Sequence, residues 1–220
     1  AGGNDDRAGE VRHVAYAIPP RKGVQEVTLA QPREGVTWMF YGIKGKLVLK
    51  ESHDGGRTWT APRKVLTRGG REIVLARDTA HLTLLHLKSG GLAMVYGGPI
   101  SRPGRDGTLQ FVRSDDGGKT WSTPRPIDPV FAVCRTQAAR VLASGRIVVP
   151  IMIWISPNTG GESEAANYNL TYSWVYYSDD EGKSWKRSYS ELFVPLDEGR
   201  SGITHFEETV IEPRKDGRLL

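Results

Sequence analysis

The sequence lacks several features that mark common functional classes. Cys134 is the one cysteine among 220 residues, so no disulfide can form within the chain. No apolar run approaches the length that crosses a bilayer, which predicts no membrane span. The five histidines are too scattered to show a metal-ligand spacing. We therefore expect no metal and no cofactor.

A helical pattern is also missing. No long window repeats its apolar residues roughly every 3.6 positions, which argues against helices and predicts an all-β fold. The net charge of +5 is spread along the chain instead of being gathered in one basic tract. A charge distributed in this way favours anionic ligands in general, so no nucleic-acid partner is expected.

What the sequence does contain is one eight-residue motif written three times. The pattern is Ser-x-Asp-x-Gly-x-Thr/Ser-Trp, and it occurs at Ser52–Trp59, Ser114–Trp121 and Ser178–Trp185. We call each copy a box. The boxes recur roughly every 60 residues, and a period of that size is typical of repeat architectures.

A second landmark recurs with the box, because a glycine followed by an apolar run appears at Gly35, Gly90, Gly145 and Gly217. Each unit therefore predicts strand, tight glycine turn, apolar strand, loop, strand, Asp-containing turn and a last strand. Four antiparallel strands in chain order form the blade of a β-propeller, and the chain holds about three and a half such blades.

The period also predicts the domain organisation. Residues 1–23 form a leader and first strand region, and residues 24–220 form the N-terminal portion of a single propeller domain. The predicted blades cover about 24–75, 76–130 and 131–200, with an incomplete one at 201–220. Because propellers close with about four to eight blades, we expect the remainder of a longer chain, or another copy, to close the ring.

The box residues have a local structural logic. A short Asp side chain can accept hydrogen bonds from backbone N–H groups inside its own turn. A Trp ring at the end of the box can fill the space between adjacent sheets. We therefore predict structural roles for Asp54, Trp59, Asp116, Trp121, Asp180 and Trp185.

With its boxes and glycine-apolar strands, the chain resembles the sialidase (neuraminidase) superfamily, whose six-bladed propellers carry these Asp boxes, also called BNR repeats. The resemblance covers essentially residues 24–220. It implies a sialidase-like glycoside hydrolase of the exo-α-sialidase type that acts on terminal sugars of glycans. It also implies a carbohydrate ligand and a secreted or periplasmic protein.

The resemblance extends to the segment Glu207–Leu220, where a glutamate precedes an apolar strand and an Asp-Gly-Arg turn. By that match Glu207 takes the place of the glutamate that activates a tyrosine nucleophile. Sialidases use tyrosine in place of a second carboxylate, and arginines clamp the carboxylate of the sugar. The tyrosine and the remaining arginines of the family would lie beyond Leu220.

Candidate site residues follow from the expectation that the first strand of each blade lines the central channel. Positions counted back from each turn glycine give a ring of polar side chains, which is more polar than packing requires. We assign catalytic roles to Glu207, Asp78 and Arg135, with Asp78 as the general acid. The predicted substrate-binding residues are Gln25, Glu26, Arg77, His81 and His205.

Two departures from the family pattern keep alternatives open. The motif Tyr16–Pro19 has Ala17 where the first family arginine is expected, and the loop Gly42–Lys46 ahead of the first box has no carboxylate for a general acid. Both favour a non-catalytic BNR-repeat propeller that binds glycan or protein. A related propeller glycosidase or polysaccharide lyase with a different sugar substrate is the remaining alternative.

Sedimentation tests the predicted incompleteness of the ring. Apolar sheet faces left without a neighbour favour association. The 220-residue chain is therefore expected to self-associate and to bind a hydrophobic dye. A compact monomer that binds no dye would contradict this prediction.

Overall fold

The fold consists of three antiparallel sheets of four strands each. A computed structural model describes residues 24–76, 82–99, 108–128, 139–155 and 170–189. Those residues form strands and turns without a helix, so none of them lies in a helix that could cross a membrane. The prediction of an all-β chain built from four-stranded units is confirmed.

The strands follow one another in chain order within each sheet. The first sheet consists of β1 (Val24–Arg33), β2 (Val36–Ile43), β3 (Lys46–Ser52) and β4 (Arg63–Lys64). The second consists of β5 (Leu82–His86), β6 (Leu92–Gly98), β7 (Thr108–Ser114) and β8 (Arg125–Pro126). The third consists of β9 (Arg140–Val141), β10 (Ile147–Ile155), β11 (Leu170–Ser178) and β12 (Lys186–Arg187).

The turn between the first two strands of each sheet depends on glycine. Gly35, Gly90 and Gly145 have φ angles of 72°, 86° and 93°, in the left-handed region that side chains with a Cβ rarely adopt. These are the glycines whose spacing revealed the repeat. Each one reverses the chain so that the apolar second strand pairs back on the first.

The second sheet is covered on both faces by its neighbours. Leu92, Met94 and Tyr96 of β6 belong to a core shared with the first sheet, while Ala93 and Val95 belong to a core shared with the third. All seven residues of β6 are buried. Sheets stacked face to face in chain order are the blades of a propeller, as the sequence predicted.

The first strands of the three sheets lie side by side. A ring nitrogen, Nε2, of His86 at the end of β5 lies 2.8 Å from the carbonyl oxygen of Gln31 near the end of β1. Lys88 Nζ, just after β5, donates to the carbonyl of Ser144, just after β9, at 3.4 Å. The inner strands β1, β5 and β9 therefore run in the same direction.

This common direction gives the molecule two distinct faces. We call the face where the inner strands begin the mouth face, and the face where they end the box face. The three boxes lie on the box face, since each follows a third strand whose last residue pairs at the start of the second strand. Those pairings are Thr37 with Ser52, Leu92 with Ser114, and Ile147 with Ser178.

The second and third boxes each pack against an aromatic ring of the preceding sheet. A Cβ added to Gly118 in the second box would overlap the ring of Trp38, and one added to Gly182 in the third would overlap Phe111. Trp38 is held in place by its indole N–H, which donates to Glu51 Oε2 at 2.6 Å. The missing side chain is therefore what lets adjacent sheets approach.

A row of ion pairs crosses all three sheets on the box face. Arg68, which follows the first sheet, pairs with Asp115, and Asp115 Oδ1 accepts from Arg113 Nε at 2.6 Å. Arg113 Nη1 also donates to Glu181 Oε2 of the third box at 2.6 Å. Glu181 has a φ of 57°, where the other boxes have Gly55 and Gly117. Its contacts tie the third sheet to the second.

The outermost strands β4, β8 and β12 are only two residues long. They carry arginine, lysine and proline, and most of these residues are exposed. Short charged strands are poor templates for pairing with another sheet edge.

Replacing the box glycine tests the contact between sheets. Gly118→Ala introduces both a left-handed alanine and an overlap with Trp38, so we expect it to lower the free energy of unfolding by about 2–4 kcal/mol. Gly117→Ala is the matched control, because its φ is also positive but no atom lies within 4 Å of the added Cβ. Denaturant unfolding should show about 1 kcal/mol for the control, and equal losses would refute the packing role.

Candidate functional site

The first strand of the first sheet enters the mouth face with an irregular register. Gln25 pairs with Gly42 and Val27 with Tyr41, so Glu26 is an extra residue in β1. Such a bulge bends a strand and redirects a side chain, and bulges are frequent beside functional sites. The backbone thus places both candidate residues of β1 at the mouth face.

The segment that joins the first and second sheets is anchored at the same face. Leu75 N donates to the Gly45 carbonyl at 2.8 Å, and Ala76 N donates to the Gly97 carbonyl of β6 at 2.9 Å. The chain therefore leaves the first sheet at the mouth face and returns there at Leu82, where β5 begins. The predicted residues between these points lie outside the described residues: Arg77, Asp78 and His81.

The other candidate residues also lie outside the described part of the chain. These are Arg135, His205 and Glu207. The description resumes at Ala139, immediately before β9, whose start belongs to the mouth face. The structure therefore brings the starts of β1, β5 and β9 to one face.

The turn between β2 and β3 closes more tightly than a catalytic loop would. Lys44 and Gly45 are its two central residues, with φ angles of 52° and 75°. Two successive positive φ angles define a type I′ turn, which matches the twist of a hairpin. The glycine at the second central position, between two alternating strands, is the sequence signal for such a turn. The turn contains no carboxylate, and with two residues it is too short to extend a side chain into the channel.

In the first box the aspartate is consumed by its own turn. Asp54 Oδ1 accepts from Ser52 Oγ at 2.8 Å and from Thr58 N at 2.9 Å, and Oδ2 accepts from Thr58 Oγ1 at 2.6 Å. Ser52 Oγ accepts in turn from Gly56 N at 2.8 Å. The hydrogen bonds from the Thr58 hydroxyl and amide hold the pKa of Asp54 well below its usual range.

The same hydrogen bonds recur in the second box. Asp116 accepts from Ser114 Oγ at 2.7 Å and from Thr120 Oγ1 at 2.6 Å. Burial alone would raise the pKa of Asp116, but these hydrogen bonds outweigh it and lower the pKa.

In the third box, Asp180 accepts from Ser178 Oγ at 2.8 Å and from Ser184 Oγ at 2.5 Å. The hydroxyl and amide of Ser184 lower the pKa of Asp180 to about 2. The box carboxylates are thus ionised, fully engaged and a strand length of roughly 20 Å from the mouth face.

The three box tryptophans differ in burial. Trp121 is 1% exposed within the core between the first and second sheets. Trp185 is half-buried against the core of the second and third sheets, with its ring 5.4 Å from that of Phe111. Trp59 belongs to neither core and is also half-buried, with its indole N–H donating to the Gly56 carbonyl at 3.0 Å. Trp121 and Trp185 therefore pack between two described sheets, whereas Trp59 follows the first sheet and has no preceding sheet among the described residues.

A metal site is not found among the described residues, where no group of three or more His, Cys, Asp or Glu side chains converges. The polar groups that are well organised there serve turns and contacts between sheets.

Comparison with known sequences identifies the boxes. The BNR/Asp-box repeat family model matches residues 112–123 and 176–187. A curated sialidase from Paraclostridium sordellii is 33% identical over 92 residues, which cover 36% of this chain and 21% of that protein. The match therefore spans about a fifth of the relative's length.

Solved structures share the fold over most of the chain. A protein of unknown function from Dyadobacter fermentans has a TM-score of 0.58 at 20% identity, covering 89% of this chain and 60% of that one. Fructan 1-exohydrolase IIa from Cichorium intybus has a TM-score of 0.53 at 16% identity, covering 80% and 33%. At such identities the likeness shows a common propeller architecture.

Acid titration tests the role of the third box. Because the pKa of Asp180 falls from 3.8 to about 2 on folding, its contribution to stability is complete above pH 3.8 and is lost as the pH falls through about 2. Asp180→Asn should lower the thermal midpoint at pH 7 by about 2–4 °C. Its midpoint should also fall less than that of the wild type between pH 4 and pH 2.

The matched control is Glu34→Gln, which removes one carboxylate from an exposed turn on the same face. We expect its unfolding midpoint at pH 7 to equal that of the wild type. Calorimetric scans that show the same acid profile for wild type and Asp180→Asn would contradict the structural role.

Proposed function

Since this chain belongs to the sialidase-like superfamily of Asp-box β-propellers, we propose that it forms part of a glycoside hydrolase of the exo-sialidase type. The enzyme would remove terminal sugars from glycans at the mouth face. The rest of the propeller, from a longer chain or a second copy, would close the ring around the channel. A secreted or periplasmic protein would meet such glycans outside the cytoplasm.

The observation that carries this proposal is the common direction of the inner strands. His86 beside Gln31 and Lys88 beside Ser144 align the ends of β1, β5 and β9, so their starts share the opposite face. Asp78 follows the anchored Ala76 by two residues, and two residues span at most about 7 Å. We propose that candidate residues contributed by different sheets act together at this mouth.

The chemistry that we propose divides roles among these residues. A sugar with a carboxylate beside its anomeric carbon repels a carboxylate nucleophile, and a tyrosine activated by Glu207 avoids that repulsion. Asp78 would protonate the leaving oxygen as general acid. Arg135 would hold the sugar carboxylate through two parallel hydrogen bonds. The sugar hydroxyls would be bound by Gln25, Glu26, Arg77, His81 and His205.

A second candidate function is glycan binding without turnover. The observation that favours it is the two-residue turn Lys44–Gly45, which leaves no acid where the family carries one on a loop. Ala17 in place of the first arginine points the same way. A propeller of this kind would hold a glycan or a protein at the mouth face without cleaving a bond.

Sugar release by the full-length protein that contains this chain tests the hydrolase. We expect wild-type protein to release free sialic acid from 3′-sialyllactose, as measured by chromatography. Glu207→Gln and Asp78→Asn should each lower kcat by about 100-fold or more, because each removes a proton-transfer group.

The matched control for both variants is Glu34→Gln, an exposed position on the box face that should retain full turnover. Full activity of Glu207→Gln would remove Glu207 from the mechanism. Binding of 3′-sialyllactose without any release, unchanged in Asp78→Asn and Glu207→Gln, would select the non-catalytic propeller. Release of a different sugar, or an unsaturated product absorbing in the ultraviolet, would select another propeller enzyme.

A further inference from the structure

A cluster of basic side chains lies at the corner of the first sheet beside the mouth face. Lys46 and Lys64 share the carboxylate of Glu72, and Lys64 Nζ lies 2.9 Å from Glu72 Oε1. The lysine side chains are 53% and 71% exposed, whereas that of Glu72 is 19% exposed. With the exposed Lys44, these residues form what we call the lysine corner.

The lysine corner carries a surplus of positive charge. The three lysines of the corner carry three positive charges against the single negative charge of Glu72, which leaves a surplus of two. Among the described residues, none forms an ion pair with Lys44. Ammonium groups in this arrangement can still donate hydrogen bonds outward, because each carries three N–H groups.

Lys44 occupies a backbone conformation that does not suit lysine. Its φ of 52° lies in the left-handed region, where the first central position of a type I′ turn favours asparagine, aspartate or glycine. An unfavourable conformation of this kind is a reason to look for a function of the side chain. In the lysine corner, the residue with this unfavourable backbone conformation is Lys44, whose charge has no ion-pair partner among the described residues.

The lysine corner borders the start of the inner strand. Val24 and Gln25 of β1 pair with Ile43 and Gly42, directly before the turn. Neighbouring strands lie roughly 5 Å apart, so the turn stands beside the candidate residues of β1. The carbonyl of Gly45 in the same turn anchors Leu75, which leads to Arg77 and Asp78.

We infer that the lysine corner binds an oxyanion, either a carboxylate or a sulfate, carried by the glycan beyond the sugar that enters the channel. This inference rests on the proposed function, because it extends the same site along the substrate. A glycan chain that leaves the channel over the first sheet would pass this two-residue turn. The lysine corner would then select anionic glycans over neutral ones.

Three substrates for the full-length protein test this inference. They are 3′-sialyl-N-acetyllactosamine, its 6-sulfated derivative and α2,8-disialyllactose, which place no added charge, a sulfate or a second carboxylate on the chain beyond the terminal sugar. Wild-type kcat/KM should be about fivefold higher for whichever charged substrate matches the corner. The difference should appear in KM and should shrink at 0.5 M salt, where exposed charges are screened.

The decisive variant is Lys44→Asn, which suits a type I′ turn and therefore preserves folding. We expect it to lose the preference while retaining wild-type kcat/KM on the substrate without added charge. Lys44→Arg should retain the preference because it keeps the charge. Lys119→Gln, an exposed lysine of the second box on the opposite face, is the matched control and should retain it as well.

The outcomes separate the inference from the function on which it rests. Equal kcat/KM for all three substrates in the wild type, or an undiminished preference in Lys44→Asn, would overturn the lysine corner and leave the hydrolase standing. Absence of turnover on every substrate would overturn the proposed function, and the inference with it.

Discussion

The contact between a box glycine and an aromatic ring of the preceding sheet sets the spacing on which the rest of the structure depends. Gly118 against Trp38 and Gly182 against Phe111 leave no room for a methyl group. The sheets can therefore stack closely enough to bury both faces of β6. Because the sheets stack in order, the inner strands align and their starts reach one face. Placement of the mouth thus depends on residues on the opposite face.

The contacts that stabilise the fold and the residues proposed for chemistry lie on opposite faces of the molecule. On the box face, hydroxyl and amide donors bind the three box aspartates Asp54, Asp116 and Asp180, and Arg113 links the second sheet to the third through Glu181. Carboxylates held in this way keep their charge because their oxygens accept several hydrogen bonds, and for the same reason they are poor acids or bases. The mouth face has the opposite character, with a bulged strand at Glu26 and a short turn at Lys44. Residues at the mouth face can therefore be substituted without disturbing the contacts that hold the sheets together.

Local patterns were readable in the sequence wherever a residue type alone determines the backbone. The turn glycines, the box aspartates and the apolar second strands were all of this kind, and they predicted the four-stranded units. Features that depend on a distant neighbour were not readable. Glu181 accepts a left-handed conformation because Ser89 N and Arg113 lie opposite it. Ala76 is fixed by Gly97 of another sheet. The candidate residues of the mouth were chosen by register, and their side chains lie outside the described part of the chain.

The shortness of the outer strands β4, β8 and β12 affects how a chain of similar units folds. Consecutive repeats that resemble one another can pair in the wrong order while they fold, since a strand from one unit can replace its counterpart in the next. Outer strands of two residues offer few backbone groups for such exchange, and their arginines and lysines repel one another. Correct order is then favoured during folding itself, before the sheets have closed on their neighbours.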